Sequence, residues 1–418
     1  MPFDRISLSG RSKVCKLTAL ALVTSLAGCN QNDHAPENEE PAALPSGINT
    51  DQVAWQQFIL AVTPSATSGK VAYETWASDQ DIYVSKPCVS ANNPVGCNVP
   101  TWPTKVSLAA PRSLTTSLLA QSHQVLARGA PNGGLTVEVV GPAQGCKSPP
   151  GIQPSQPAAD SGFPATGCVG EEVRRDRATF DYLVRNGLWS DLGLANFYKS
   201  GGTVAFPTNA LEIKADWIPV TTLATWLGKP ASFVTSNFYT ANAALGKAAP
   251  PVAMAMTSMH LSVKYPGFPS WIWANFENAY TPGRCDQTGC SDRFGAQVPR
   301  VAANSKAWGQ YGACAKSAAV GSLMGAAKLS QVFANYCLTG TQTTYGTTTN
   351  PTLLGSPIIE ALNADVALNQ SSCIACHYNA AFDQNGTPNF NNIGGTGPQK
   401  LAPGFKQYDF MWGLLGAQ

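Results

Sequence analysis

Near the C-terminus the chain reads Ser371-Ser372-Cys373-Ile374-Ala375-Cys376-His377, and no other stretch constrains the fold as tightly. Cys373, Cys376 and His377 form C-x-x-C-H, the attachment pattern of a c-type haem. Each part of the pattern has a chemical job. Two thiols one helical turn apart add to the two porphyrin vinyl groups, and the adjacent imidazole falls beneath the ring and ligates the iron. The sequence holds 12 cysteines and 4 histidines, so composition alone makes a chance match rare. Two other readings compete. A redox dithiol would want a βαβ context, and half a zinc site would want a second pair close by. Neither context is evident.

The N-terminus bears on the compartment. Arg5, Arg11, Lys13 and Lys16 precede an apolar run from Leu17 to Leu26 that is too short for a stable membrane span. The run ends in Leu26-Ala27-Gly28-Cys29, which resembles a bacterial lipoprotein lipobox. That resemblance implies a signal peptide over 1–28 and a lipid on Cys29. An ordinary secretory peptide with a coincidental cysteine is the competing reading. Asn30 after Cys29 leans towards the outer membrane on the enteric sorting pattern. Residues 29–48 are polar, acidic and Pro-bearing, and read as a flexible tether.

Charged residues make up only 12% of the chain, with 38 Gly and 31 Pro, which suits a secreted, loop-rich protein. The net charge is +2 and no basic run is interleaved with aromatics, so nucleic acid is not an expected partner. Setting aside Cys15, Cys29 and the two motif thiols, eight cysteines fall into local couples: Cys88 with Cys97, Cys146 with Cys168, Cys285 with Cys290 and Cys314 with Cys337. An even count at such spacings reads as disulfides in an oxidising compartment. A second metal site is the competing reading, and the scarcity of nearby His counts against it.

Hydrophobic periodicity sketches the rest. Trp55, Phe58, Ile59 and Val62 recur at i, i+3, i+4, i+7, which predicts an amphipathic helix over 51–62 ended by Pro64. Residues 71–84 read as helix then strand. Leu135 to Val140 alternates after a Gly turn and reads as a strand. Residues 171–186 read as a helix with Glu171 and Glu172 in its first turn and Gly187 as its stop. A shorter helix follows from Ser190. Residues 203–220 read as two strands around Pro207, with Glu212 and Lys214 on one face. Residues 252–263 and 270–276 are further strands, the second placing Trp271 and Trp273 on one face. Residues 304–336 are helical in pattern, and 339–351 read as a Gly/Thr linker. The fold class expected is α+β: a large β-rich domain over 49–345, sandwich-like or an antiparallel sheet, with surrounding helices and disulfide-stapled loops. A short all-α, cytochrome c-like haem segment over 346–418 follows, with helices at 353–368, at the motif and at 405–415.

His377 is the expected proximal iron ligand. Met411 is one candidate for the distal side, since Met/His ligation is common among electron-transfer cytochromes. Tyr408, Met411 and Trp412 also share helical spacing, which suits a core role. His260, with Met256 and Met259 beside it, is the other candidate. An empty sixth position is the third possibility.

Several stretches together resemble a family of exported bacterial proteins known as cytochrome c family proteins. They are Ala54-Trp55-Gln56-Gln57-Phe58, Leu211 to Trp217, His260 with Lys264, Trp271 to Asn278, and Asn335 to Gln342. The resemblance spans most of residues 50–418 and implies one covalently bound haem c and export, with no defined reaction. The extra Cys-bearing loops depart from that pattern. Beside it, Glu212, Lys214, His260, Lys264, Trp271, Trp273 and Glu277 sit on neighbouring predicted strands as a candidate pocket. Pairing of Glu212 with Lys214, or of Glu277 with Lys264, is the plainer account. The expected activity is electron transfer to a redox partner protein from a lipid-anchored position at the periplasmic side of a membrane. The alternatives are a haem c-dependent oxidoreductase acting on a small molecule, and a haem-based binding or sensing lipoprotein.

Overall fold

The computed structural model describes residues 47–65, 70–88, 96–103, 112–114, 161–164, 167, 169–245, 251–295, 308–347, 350–363, 366–389, 396–397 and 400–417. Cys29, the tether as far as residue 46 and the 135–140 strand lie outside them. So do Cys146 and Cys168, and with them the bridge expected between the two. The described residues all belong to one compact unit.

Helix α1 spans Thr50–Val62. Asn49 caps it, its side-chain oxygen accepting from the Asp51 and Gln52 amides at 3.1 and 3.2 Å. The predicted stripe is the buried one: Trp55, Phe58, Ile59 and Val62 all face inward. Short elements follow: β1 (Ala77–Ser78), α2 (Asp79–Ile82) and β2 (Arg112–Leu114). Then come β3 (Gly170–Arg175), α3 (Arg177–Asn186), α4 (Asp191–Lys199) and β4 (Leu211–Pro219). The chain continues through α5 (Val220–Leu227), α6 (Ala231–Asn237), β5 (Thr240–Leu245), β6 (Val252–Val263) and β7 (Ile272–Asn278). It closes with α7 (Ala318–Ala326), β8 (Tyr336–Gln342) and α8 (Cys373–Tyr378).

Eight strands make one sheet, and all its pairings are antiparallel except β2 with β5. The long strand β6 organises it. β4 pairs along most of its length, while the other edge is shared: β5 takes residues 252–255 and β7 takes 258–263. β8 extends the sheet beyond β7. The fold is therefore α+β, with helices around an antiparallel sheet.

Alternation along these strands separates two faces. Ile213, Ala215, Met259, Leu261, Ala274 and Phe276 point to one side and form a core with α1. There Phe58 stacks on Phe276 with ring centroids 4.2 Å apart, and the Trp55 indole donates to Asp292 Oδ2 at 2.8 Å. The opposite face carries Asp216, Lys214, Ser258, His260, Asn275 and Glu277, and Gly355 and Glu360 reach it, the Gly355 carbonyl accepting from Asn275 Nδ2 at 3.3 Å.

Several expectations need correction. Glu171 and Glu172 lie in β3, where pairing with β4 and β1 prevails, and the helix begins five residues later with Asp176 as its cap. Gly187 does end that helix, in the left-handed conformation at φ +70°. Residues 203–220 hold one strand, β4, rather than two. In 71–84 a 3-10 turn at Ala72–Thr75 leads into β1 as expected, but a further α-helical turn, α2, follows the strand. The supposed linker begins inside β8, whose Thr339 and Gln342 are buried. The C-terminal segment is not all-α: Ala381–Phe382 pairs with Lys406–Gln407 as a small antiparallel ladder. Residues 405–415 form no continuous helix, because Asp409 and Phe410 are both left-handed (φ 48° and 65°) and only a 3-10 turn follows at Trp412–Gly416. Residues 353–368 hold a π-helical turn at Pro357–Asn363 and a 3-10 turn at Leu368–Gln370.

Candidate functional site

Helix α8 carries the C-x-x-C-H motif. Ser372 caps it, and Gln342 at the end of β8 ties it to the sheet: Gln342 Nε2 donates to Ser372 Oγ at 3.0 Å while its Oε1 accepts from the Ile374 amide at 3.0 Å. Three of the four expected bridges are disulfides of the structure: Cys88–Cys97, Cys285–Cys290 and Cys314–Cys337. The fourth, between Cys146 and Cys168, does not join this set, because neither Cys146 nor Cys168 is among the described residues. Among the described residues only Cys373 and Cys376 are free thiols. Cys373 is buried and Cys376 half-buried. Burial pushes the Cys376 thiol up to about 11 and the Cys373 thiol well above its usual value, with the Glu360 carboxylate adding to both.

His377 has its ring polarity fixed by the backbone. Its Nδ1 lies 2.7 Å from the Phe410 carbonyl oxygen. A carbonyl has no proton to give, so Nδ1–H is the donor. Burial lowers the imidazole pKa to about 4, opposed by the Phe410 bond, so the ring is neutral near pH 7. The lone pair then sits on Nε2. The ring lies 5.8 Å from Trp273, and Trp273 lies 5.7 Å from Phe410.

The turn that supplies this carbonyl is held on every side. Two successive non-Gly residues in the left-handed region cost about 1–2 kcal/mol each, and such a conformation persists only where its surroundings over-determine it. Asp409 Oδ1 accepts from Lys264 Nζ at 2.6 Å, and its Oδ2 accepts from the Phe206 amide at 2.7 Å. Its backbone carbonyl accepts from Trp271 Nε1 at 2.7 Å. Lys264 is itself tied down, its amide donating to the Ala210 carbonyl at 2.9 Å.

The polar face of the sheet lies alongside. Strand register sets Glu171, Asp216, Ser258 and Glu277 in one cross-strand row, and Lys214, His260 and Asn275 in the next. Lys214 pairs with Glu171 at 2.8 Å, and Glu212 pairs with Arg175 at 2.7 Å. Glu360 reaches this face from the π-helical turn, 3.7 Å from His260 Nε2. Burial raises Glu277 to about 8, opposed by hydrogen bonds from Ser356 and Asn275, and raises Glu360 to about 7. Burial, with the Lys214 cation, holds the His260 pKa well below its usual value and keeps its imidazole neutral.

The residues singled out from sequence thus divide. Glu212 and Lys214 share a face as expected but pair with other strands, not with each other. Lys264 pairs with Asp409, not with Glu277. His260 and Glu277 stand on the polar face with Lys214. Trp271 holds the 409–410 turn, and Trp273 flanks His377. Met411 is buried in the apolar cluster with Cys373, Trp412 and Tyr408. Asp409, Phe410, Glu360, Asp216 and Arg175 had no sequence signal that singled them out, because their roles come from backbone twist and cross-strand register.

These residues fit a haem on three grounds. The two motif thiols, Cys373 and Cys376, are unpaired. His377 presents Nε2. Two buried side-chain nitrogens beside α8, Trp273 Nε1 and His260 Nε2, lack a hydrogen-bond partner among the described residues, as polar groups that complete their bonding with an added group would. Among the described residues no three His, Cys, Asp or Glu side chains converge as a metal-ion site, and no helix is long and apolar enough to cross a membrane. Comparison with family models, with characterised proteins and with solved structures finds no match for the chain.

Proposed function

We propose that this chain is a monohaem c-type cytochrome, with one haem joined to Cys373 and Cys376, that exchanges electrons with a redox partner protein. Cys29 would anchor it by lipid at the periplasmic side of a bacterial membrane. The observation that carries the reading is the state of the motif. Its two thiols are free while the six other described cysteines are disulfide-bonded, and its histidine is neutral with Nε2 unprotonated.

When bound, the haem supplies a one-electron iron couple. The chain's own residues account for the rest. His377 would hold the iron through Nε2, and the Phe410 carbonyl fixes its ring. Trp273 Nε1, buried without a partner among the described residues, would be a donor for a polar oxygen of the bound group. Trp273, Phe410 and Trp412 exclude water around the motif. On the distal side His260 fits better than Met411. Its Nε2 is buried without a hydrogen bond among the described residues, whereas Met411 is buried in the apolar cluster with Tyr408 and Trp412. Electron transfer needs no substrate at the iron, only access for a partner.

A second reading is a haem c-dependent oxidoreductase. The row of buried carboxylates with Lys214 and His260 beside α8 favours it, because charged groups buried next to a redox centre commonly serve chemistry.

The test is the absorption spectrum of the secreted protein with Cys29→Ser, produced in cells that attach haem c. Spectra are taken oxidised and reduced, with and without carbon monoxide. A low-spin reduced form indifferent to carbon monoxide, made reactive by His260→Ala but not by Met411→Leu, is the expected result. Ready carbon monoxide binding by the parent would move the account to the oxidoreductase. A colourless parent would end the haem reading.

A further inference from the structure

On the reading that His377 ligates haem iron, we propose that Asp409, clamped by Lys264 and Trp271, is a positioning residue that sets the donor strength of His377 through the Phe410 carbonyl. The clamp belongs to the sheet and its flanking loop, not to the motif. Lys264 follows the last residue of β6, and Trp271 precedes the first residue of β7. Both converge on Asp409, one on its carboxylate and one on its backbone carbonyl. The next peptide carbonyl, that of Phe410, accepts from His377 Nδ1. The Lys264 ammonium also lies 5.7 Å from the Trp271 ring centroid, so the two clamp residues steady each other.

The chemistry follows from the direction of that bond. A firm acceptor at Nδ1–H raises the basicity of Nε2 and favours the more highly charged, oxidised iron. Loosening the 409–410 turn weakens the acceptor and shifts the couple towards the reduced state. Simple electrostatics predicts a different sign for one variant. Removing the Lys264 cation alone disfavours reduction, or leaves the couple unchanged where Asp409 takes up a proton. A rise in potential on Lys264→Met therefore reports the clamp and not the lost charge.

The experiment uses the full-length haem-loaded protein carrying Lys264→Met, Lys264→Arg or Asp409→Asn. Each is measured for covalent haem, for midpoint potential and for the solvent-exchange rate of the His377 Nδ1 proton by NMR. The expected result is covalent haem in all, a raised potential and several-fold faster exchange in Lys264→Met and Asp409→Asn, and parental values in Lys264→Arg. If Asp409→Asn fails to fold, the two Lys264 variants decide alone. Parental exchange rates in Lys264→Met, or a lowered potential, overturn the clamp while leaving the haem reading intact. Absence of covalent haem from the parent overturns the haem reading itself, and this inference with it.

Discussion

The two faces of the central sheet are built from alternate residues of the same strands, yet they solve opposite problems. On one side Phe276, Met259, Ile213 and Leu261 meet Phe58 and Trp55 of α1, and apolar burial needs no further explanation. On the other side Asp216, Ser258, Asn275 and Glu277 are wholly buried beside Lys214 and His260. Burying charge costs stability unless partners compensate. Ion pairs from Lys214 and Arg175 compensate part of it. The difference teaches where to look: the first face holds the fold together, and the second, which faces the C-x-x-C-H helix, accepts a cost that packing alone would not select.

The sharpest way to break the comparison is Phe58→Ala. Removing a fully buried ring stacked on Phe276 should cost about 3–5 kcal/mol, read from urea unfolding. On the proposed haem reading, the folded fraction should keep the parental absorption spectrum, since the change lies on the apolar face. A spectral shift at constant fold would join the two faces functionally.

Glu277→Gln sharpens the contrast from the polar side. Glu277 has its folded pKa raised from 4.5 to about 8. Such a group gives its full share of stability below the unfolded value, and that share is lost as pH rises through the folded value. The parent should therefore lose stability between about pH 4.5 and about pH 8, with a slope of up to about 1.4 kcal/mol per pH unit from this group. The glutamine variant should lack that component and exceed the parent in stability at the alkaline end. Unfolding midpoints measured across this range check it, and parallel curves for the two proteins would remove Glu277 from the account.

Asn49→Ala should have the smallest effect. It removes the cap of α1 and should cost about 1 kcal/mol, with neither the pH profile nor the haem altered.

What the sequence made legible follows the same division. The stripe of α1, the helix from Ser190, the stop at Gly187 and the strands around His260 and Trp273 were all readable, because each depends on local spacing or on one residue's conformational preference. The three described disulfides were readable from the local coupling of cysteines along the chain; the bridge expected between Cys146 and Cys168 lies outside the described residues. The strand at Glu171–Arg175 was not readable, since its two carboxylates imitate a helix start and only the pairing with β4 decides otherwise. β8 was hidden for a similar reason: its Gly and Thr look like a linker until β7 lies alongside. At Tyr408, Met411 and Trp412 the spacing correctly marked buried positions but suggested a helix. Asp409 and Phe410 are left-handed there, held by Lys264, Phe206 and Trp271 from distant parts of the chain. The C-x-x-C-H pattern is visible in the sequence as such, and a short helix starting at Cys373 carries it. The partners of its histidine were not visible, because a backbone carbonyl leaves no mark in the sequence.

The central claim is that Cys373 and Cys376 carry a haem, and intact-mass measurement of the denatured, acid-extracted protein tests it most directly. The account predicts a mass raised by one haem that survives extraction, and its loss when both cysteines are changed to Ala. An unmodified mass from cells competent to attach haem c, with the two cysteines recovered as thiols or as a disulfide, would contradict it.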